Sequence, residues 1–176
     1  MIDLRKPRRR RAKRKGPAMA MPEGDPASWG RLEGDTLTLC LPLTPSQNTT
    51  DRLHWAELKR QRERLLLVAV AQVRRLGLGS LAEPWARRAR IDLVRCSMAT
   101  VAADPTNVIG GAKGAVDVLL APRPKRPGVN LLVDDSPAHL EVGEVEDRSR
   151  GHWDDFPGPA LWVTLTRLRG EAGSQS

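Results

Sequence analysis

The reading turns on residues 104–135. They run Asp104-Pro105-Thr106-Asn107-Val108-Ile109-Gly110-Gly111-Ala112-Lys113-Gly114-Ala115-Val116-Asp117-Val118-Leu119-Leu120, then a Pro/Gly-rich stretch, then Leu131-Leu132-Val133-Asp134-Asp135. Pro105 suits the first turn of a helix, where its missing N–H costs nothing, and Asp104 suits the cap position before it. From there Val108, Ala112, Ala115, Val116 and Leu119 recur at helical spacing and predict an apolar side. Thr106, Gly110, Lys113 and Asp117 line the other side. Two glycines inside a helix cost about 1 kcal/mol each against alanine. Gly110 and Gly111 therefore imply a close approach, by a phosphate or a partner helix. Residues 131–133 read as a short buried strand that ends on the acidic pair Asp134-Asp135. Carboxylates from both ends of the stretch are hard oxygen donors suited to a divalent cation, and Lys113 offers a positive charge to a phosphate.

Working outward, residues 90–98 predict a strand that feeds toward Asp104. From Trp55 to about Leu76 the pattern is helical, with Leu58, Leu65, Leu66, Ala69, Val73 and Leu76 on one stripe. Lys59, Arg60, Arg62, Glu63, Arg64, Arg74 and Arg75 fill the rest, a solvated face rather than a DNA-binding one. Thr50 or Asp51 is placed to cap this helix, and Gly77 and Gly79 stop it. Ahead of it, residues 36–41 alternate as a half-buried strand does, and 43–50 follow as a polar loop containing Asn48. Residues 121–130 hold three prolines with Arg123, Lys125 and Arg126, a loop with a modest basic patch. Residues 139–146 alternate again, with an irregularity at Gly143. A polar segment with His152-Trp153-Asp154-Asp155 intervenes before a final strand at 161–168. This order predicts one small mixed α/β (α+β) domain: a single mixed sheet with two main helices.

The chain has 176 residues and a hydrophobic share of 40%, enough for one domain, read as 35–169 between tails at 1–34 and 170–176. Its net charge of +8 is local. Nine of the 29 Lys and Arg and one of the 21 Asp and Glu lie in residues 1–15, so the remainder carries 20 of each sign. So dense a basic run is expected to be disordered and to attract polyanions without reading sequence. The alternatives are a solvated tail with no role, or a start at Met19 or Met21. No apolar run approaches the roughly 18 residues of a membrane span, and the arginine-rich start lacks the apolar core of a secretory signal. Cys40 and Cys96 lack metal-ligand spacing and read as two buried thiols in a reducing cytosol. His54, His139 and His152 are too scattered for zinc. Trp55, Trp85, Trp153 and Trp162 read as packing residues. With Phe156 the one phenylalanine and no tyrosine, a base-stacking single-strand surface is poorly supported.

In order along the chain, these landmarks resemble the RusA-type Holliday junction resolvases. Leu41-Pro42 with Pro45-Ser46-Gln47-Asn48 is similar to that family's strand and Pro-Ser-x-Asn loop. Asp104-Pro105-Thr106-Asn107 resembles its Asp-x-Asp-Asn motif, Lys113 with Asp117 its Lys-x-x-x-Asp helix, and Val133-Asp134-Asp135-Ser136 its closing Asp-Asp element. The likeness covers about residues 36–168. It implies a homodimeric, Mg2+-dependent endodeoxyribonuclease, with Mn2+ as the alternative ion. Asp104, Lys113 and Asp135 would be catalytic; Asp104 and Asp135, with Asp134, would hold the metal. Asn48, Asn107, Lys113, Arg123, Lys125 and Arg126 are the candidates for contacting a four-way DNA junction. The setting would be DNA recombination and repair in the cytoplasm of a bacterial or phage-infected cell. Two departures stand out. Thr106 occupies the position of the family's second motif aspartate, and Lys113 follows Asn107 by six residues where some members have fewer. A non-catalytic DNA- or RNA-binding protein with a degenerate metal site is the other reading.

Overall fold

The structure is a computed structural model that describes residues 25–150 and 158–168. A 3-10 turn at Pro26–Trp29 leads to β1 (Arg31–Glu33), β2 (Thr36–Pro42), the single turn α1 (Gln47–Thr50) and α2 (Trp55–Arg75). Then come β3 (Ala89–Ser97), α3 (Pro105–Leu119), β4 (Leu140–Ser149) and β5 (Ala160–Arg167). The five strands form one mixed sheet in the order β1-β2-β5-β3-β4, in which β3 and β4 are parallel and the other pairs antiparallel. The result is a small α+β domain with two long helices. The basic run at 1–15, residues 170–176 and the segment from His152 to Asp155 lie outside the described residues. Arg31–Glu33, within the stretch read as linker, is an edge strand.

Period-two alternation sends Leu37, Leu39, Leu41, Ile91, Leu93, Leu161, Val163 and Leu165 to one face of the sheet. There they are buried against Leu65, Ala69 and Val73 of α2 and Ala112, Ala115, Val118 and Leu119 of α3. Cys40, Cys96, Ala160 and Trp162 form a smaller cluster on the opposite face. Both thiols are free and buried, and burial pushes them up to about 12 for Cys40 and about 11 for Cys96. Gln72 is fully buried. Its amide donates to the Cys40 carbonyl at 2.7 Å and accepts from the Cys40 N–H at 3.2 Å. It thus takes the place of a strand partner where β1 has ended. No helix among the described residues is long and apolar enough to cross a membrane.

Several expectations need correction. Residues 131–133 do not form a sheet strand. Leu132 makes only isolated bridges to Ala86 and Leu120. The reason lies in α3, whose last carbonyls have no partner within the helix. The N–H groups of Val129, Leu131 and Leu132 supply them, donating to Val118 and Leu119 at 2.9–3.1 Å. The polar loop holds the one-turn α1. His54, not Thr50 or Asp51, caps α2, its Nδ1 accepting from the Ala56 N–H at 3.3 Å. Trp55 is 68% exposed: as the first residue of α2 it lies beyond the sheet and touches only His54 among the rings. Trp85 and Trp162 are buried as expected. The irregularity expected near Gly143 is present. The β3–β4 register shifts between Ile91 and Leu93, and a Cβ at Gly143 would lie 2.2 Å from Asp92 Oδ1.

Candidate active site

Asp104 caps α3, its Oδ1 accepting from the Asn107 N–H at 3.0 Å and its Oδ2 from the Asn107 side-chain amide. The Asn107 N–H, then that amide, hold the Asp104 carboxyl below its ordinary value. Pro105 opens the helix, and Val108, Ala112 and Ala115 turn its apolar side to the sheet. Nine residues after Asp104, Lys113 sits on the order of 13 Å further along the axis and about two and a half turns round it. It is exposed, and Lys113 Nζ lies 3.5 Å from Asp135 Oδ2.

Asp134 and Asp135 reach α3 by a route the sequence does not announce. After α3 the chain turns out in a tight hairpin, closed by reciprocal 2.9 Å bonds between the backbones of Arg123 and Arg126. Residues 129–132 then dock on the helix end, so the acidic pair returns along α3. Arg123 Nη2 is 3.1 Å from Asp134 Oδ2, and the Ser136 N–H donates to Asp134 Oδ1 at 3.0 Å. That N–H first, then the Asp135 side chain and Arg123, lower the Asp134 carboxyl below its ordinary value. The structure therefore joins Lys113 to Asp135 and Arg123 to Asp134. Lys125 and Arg126 are exposed on the same hairpin, and Asn48 is exposed on α1, which packs beside α3. It does not join Asp104 to this group. No printed hydrogen bond or ion pair links Asp104 to Lys113, Asp134 or Asp135. Among the described residues no three His, Cys, Asp or Glu side chains are grouped to hold a metal ion.

The glycines of α3 have a different partner from the one expected. A Cβ at Gly110 would meet the Gln47 side chain, and one at Gly111 would lie 2.0 Å from the Pro45 carbonyl oxygen. They are small because the segment entering α1 presses on the helix. Asp117 lines the cleft between the helices with Lys113, one turn away.

Sequence reasoning missed two sets of polar residues. Arg95 and Asp147, cross-strand partners on β3 and β4, form a buried bidentate pair at 3.2 Å. Arg95 Nε donates to the Thr44 carbonyl at 3.0 Å, and the Ala103 N–H donates to Asp147 at 2.6 Å. The signal for Arg95 was its parity: it falls in step with Ile91 and Leu93, on the face that is buried. The second set is Arg62 and Thr44 in the cleft between the helices. Leu58, Arg62, Leu65 and Ala69 are spaced four, three and four apart, so Arg62 lies on the inward stripe. No family model matches the chain, and no curated protein matches it.

Proposed function

We propose that the protein is a metal-dependent, structure-selective endonuclease that cuts four-way DNA junctions as a homodimer, in DNA recombination and repair in the cytoplasm of a bacterial or phage-infected cell. The observation that carries this reading is the 3.5 Å approach of Lys113 and Asp135, which are 22 positions apart in sequence. Beside them stands a second carboxylate, Asp134, and a hairpin bearing Arg123, Lys125 and Arg126. Two adjacent carboxylates fit a magnesium ion that keeps several of its waters. Asp134 and Asp135 would hold it, while both Asp104 oxygens are engaged by Asn107. When bound, such an ion neutralises charge developing at a phosphoryl centre and acidifies a water.

The residues of the chain have roles that follow from their charge and position. The Lys113 ammonium holds the phosphate to be cut and opposes the charge that gathers on it. The hairpin cations grip neighbouring phosphates, which positions a strand without reading its bases. Asn48 and Asn107 touch the backbone at either end of the same strip. A two-fold dimer presents two such sites to a junction whose strands are paired by symmetry.

A second reading has its own support. With Thr106 in place of an acid and no group of three ligands among the described residues, the chain would bind DNA or RNA without cutting it. The test is a synthetic four-way junction incubated with purified protein in Mg2+, in Mn2+ and in EDTA. Paired nicks that need the metal are the expected result; salt-sensitive binding with no nicks in either ion selects the second reading. Thr106→Asp sharpens the outcome, because a large gain of cleavage marks the natural site as impaired.

A further inference from the structure

Between α1 and α2 on one side and α3 on the other lies a cavity of about 380 Å³. Two polar groups in its wall are satisfied by nothing among the described residues. Thr44 is 1% exposed, and its Oγ1 has no hydrogen-bond partner. Arg62 Nη2 is likewise buried without a partner in the same wall. A bond left unmade on a buried charged donor is among the more costly things a fold carries. Thr44 is pinned from behind by Arg95, which donates to its carbonyl at 3.0 Å. Its hydroxyl is therefore held where it is. Lys113 also lines the cavity, and the floor is open at Gly114, where a Cβ would find its nearest neighbour, Leu65 Cδ1, at 4.0 Å. Asp51 and Asp117 contribute carboxylates to the rim. Neither forms an ion pair with Arg62, so the guanidinium keeps its charge for a ligand.

We propose that this cavity is a subsite for one phosphate group, held by the Arg62 guanidinium and the Thr44 hydroxyl with the Lys113 ammonium beside them. A tetrahedral oxyanion accepts from a guanidinium fork and a hydroxyl at once, which a single water does less well. The phosphate belongs either to a nucleic-acid strand or to a free phosphate compound. The strand source rests on the reading under Proposed function; the free source does not.

The experiment uses the full chain in EDTA, so cleavage plays no part. Binding of a labelled four-way junction is measured across a salt series, and inorganic phosphate is titrated while the melting temperature is followed. For wild type against Arg62→Gln, a strand phosphate flattens the plot of log affinity against log salt by about 0.9 in the variant. Thr44→Val then weakens binding with the slope unchanged. A free phosphate instead raises the melting temperature of wild type and not of Arg62→Gln, with the DNA slope equal in both. Either result supports the subsite. Equal slopes together with equal phosphate shifts overturn it, leaving the cavity to water. Should circular dichroism show Arg62→Gln unfolded, Arg62→Lys takes its place. It keeps the charge and loses the fork, so phosphate or junction affinity must fall about tenfold; unchanged affinity overturns the proposal. A junction bound but never cut in Mg2+ defeats the nuclease reading and leaves these measurements intact.

Discussion

The Arg95–Asp147 and Lys113–Asp135 pairs are nearly equal in length, 3.2 and 3.5 Å, and differ in their access to water. The side chains of the first are 11% and 0% exposed; those of the second are 72% and 39% exposed. Removing one partner of a buried pair leaves an uncompensated charge in a poor solvent, at a cost of about 3–5 kcal/mol. An exposed pair is worth about 0–1 kcal/mol, because water screens it and two long side chains must be held still. The first pair therefore serves the fold. The second can open at little cost and give its charges to a ligand. They are also linked, since Asp147 holds the Ala103 N–H and so sets where α3 begins.

The largest expected effect is that of Asp147→Ala. Urea unfolding should show a loss of about 3–5 kcal/mol, against at most about 1 kcal/mol for Lys113→Ala. A loss under about 1 kcal/mol for Asp147→Ala, on the same scale, would collapse the distinction between the two pairs.

The glycines of α3 divide in the same way. Gly111→Ala puts a Cβ 2.0 Å from the Pro45 carbonyl oxygen, and overpacking of this kind costs about 1–3 kcal/mol. At Gly114 the nearest atom is 4.0 Å away, so Gly114→Ala should gain up to about 1 kcal/mol from helix propensity alone. Melting both variants checks the order. A stabilised Gly111→Ala would mean that the α1 segment does not press on the helix.

The smallest effect is electrostatic. Asp134 should titrate below the ordinary carboxylate value of about 3.9, as its Ser136, Asp135 and Arg123 partners require. A depressed folded value means that its contribution to stability is present above that ordinary value and is lost as pH falls through the folded one. Carbon-detected NMR across acid pH reads this directly. In Arg123→Ala the value should rise only part of the way, because the Ser136 N–H is the larger cause.

Much of the fold was legible because it rests on local periodicity. Leu65, Ala69 and Val73 announced the inner stripe of α2, and Ala112, Ala115 and Leu119 that of α3; Asp104 and Pro105 marked where α3 begins. Gly143 marked the break in β4. What was not legible depends on partners far apart in the chain. Residues 131–133 look like a strand, yet their N–H groups answer the open carbonyls at the end of α3, a demand visible only once the chain has folded back. Arg95 carries the parity of a buried residue, but nothing near it in sequence names Asp147, 52 positions on. Of the candidate site, Lys113 and Asp135 are brought together. Asp104 follows local chemistry and caps its helix, so a carboxylate that satisfies a helix start looks in sequence like one that awaits a metal.

The most direct test of the central claim is the cleavage rate of a four-way junction in Mg2+ by wild type and by Asp135→Asn, with urea midpoints measured on both. The account predicts paired nicks from wild type, a loss on the order of a hundredfold in the variant and matching midpoints. Cleavage by Asp135→Asn at the wild-type rate would contradict it.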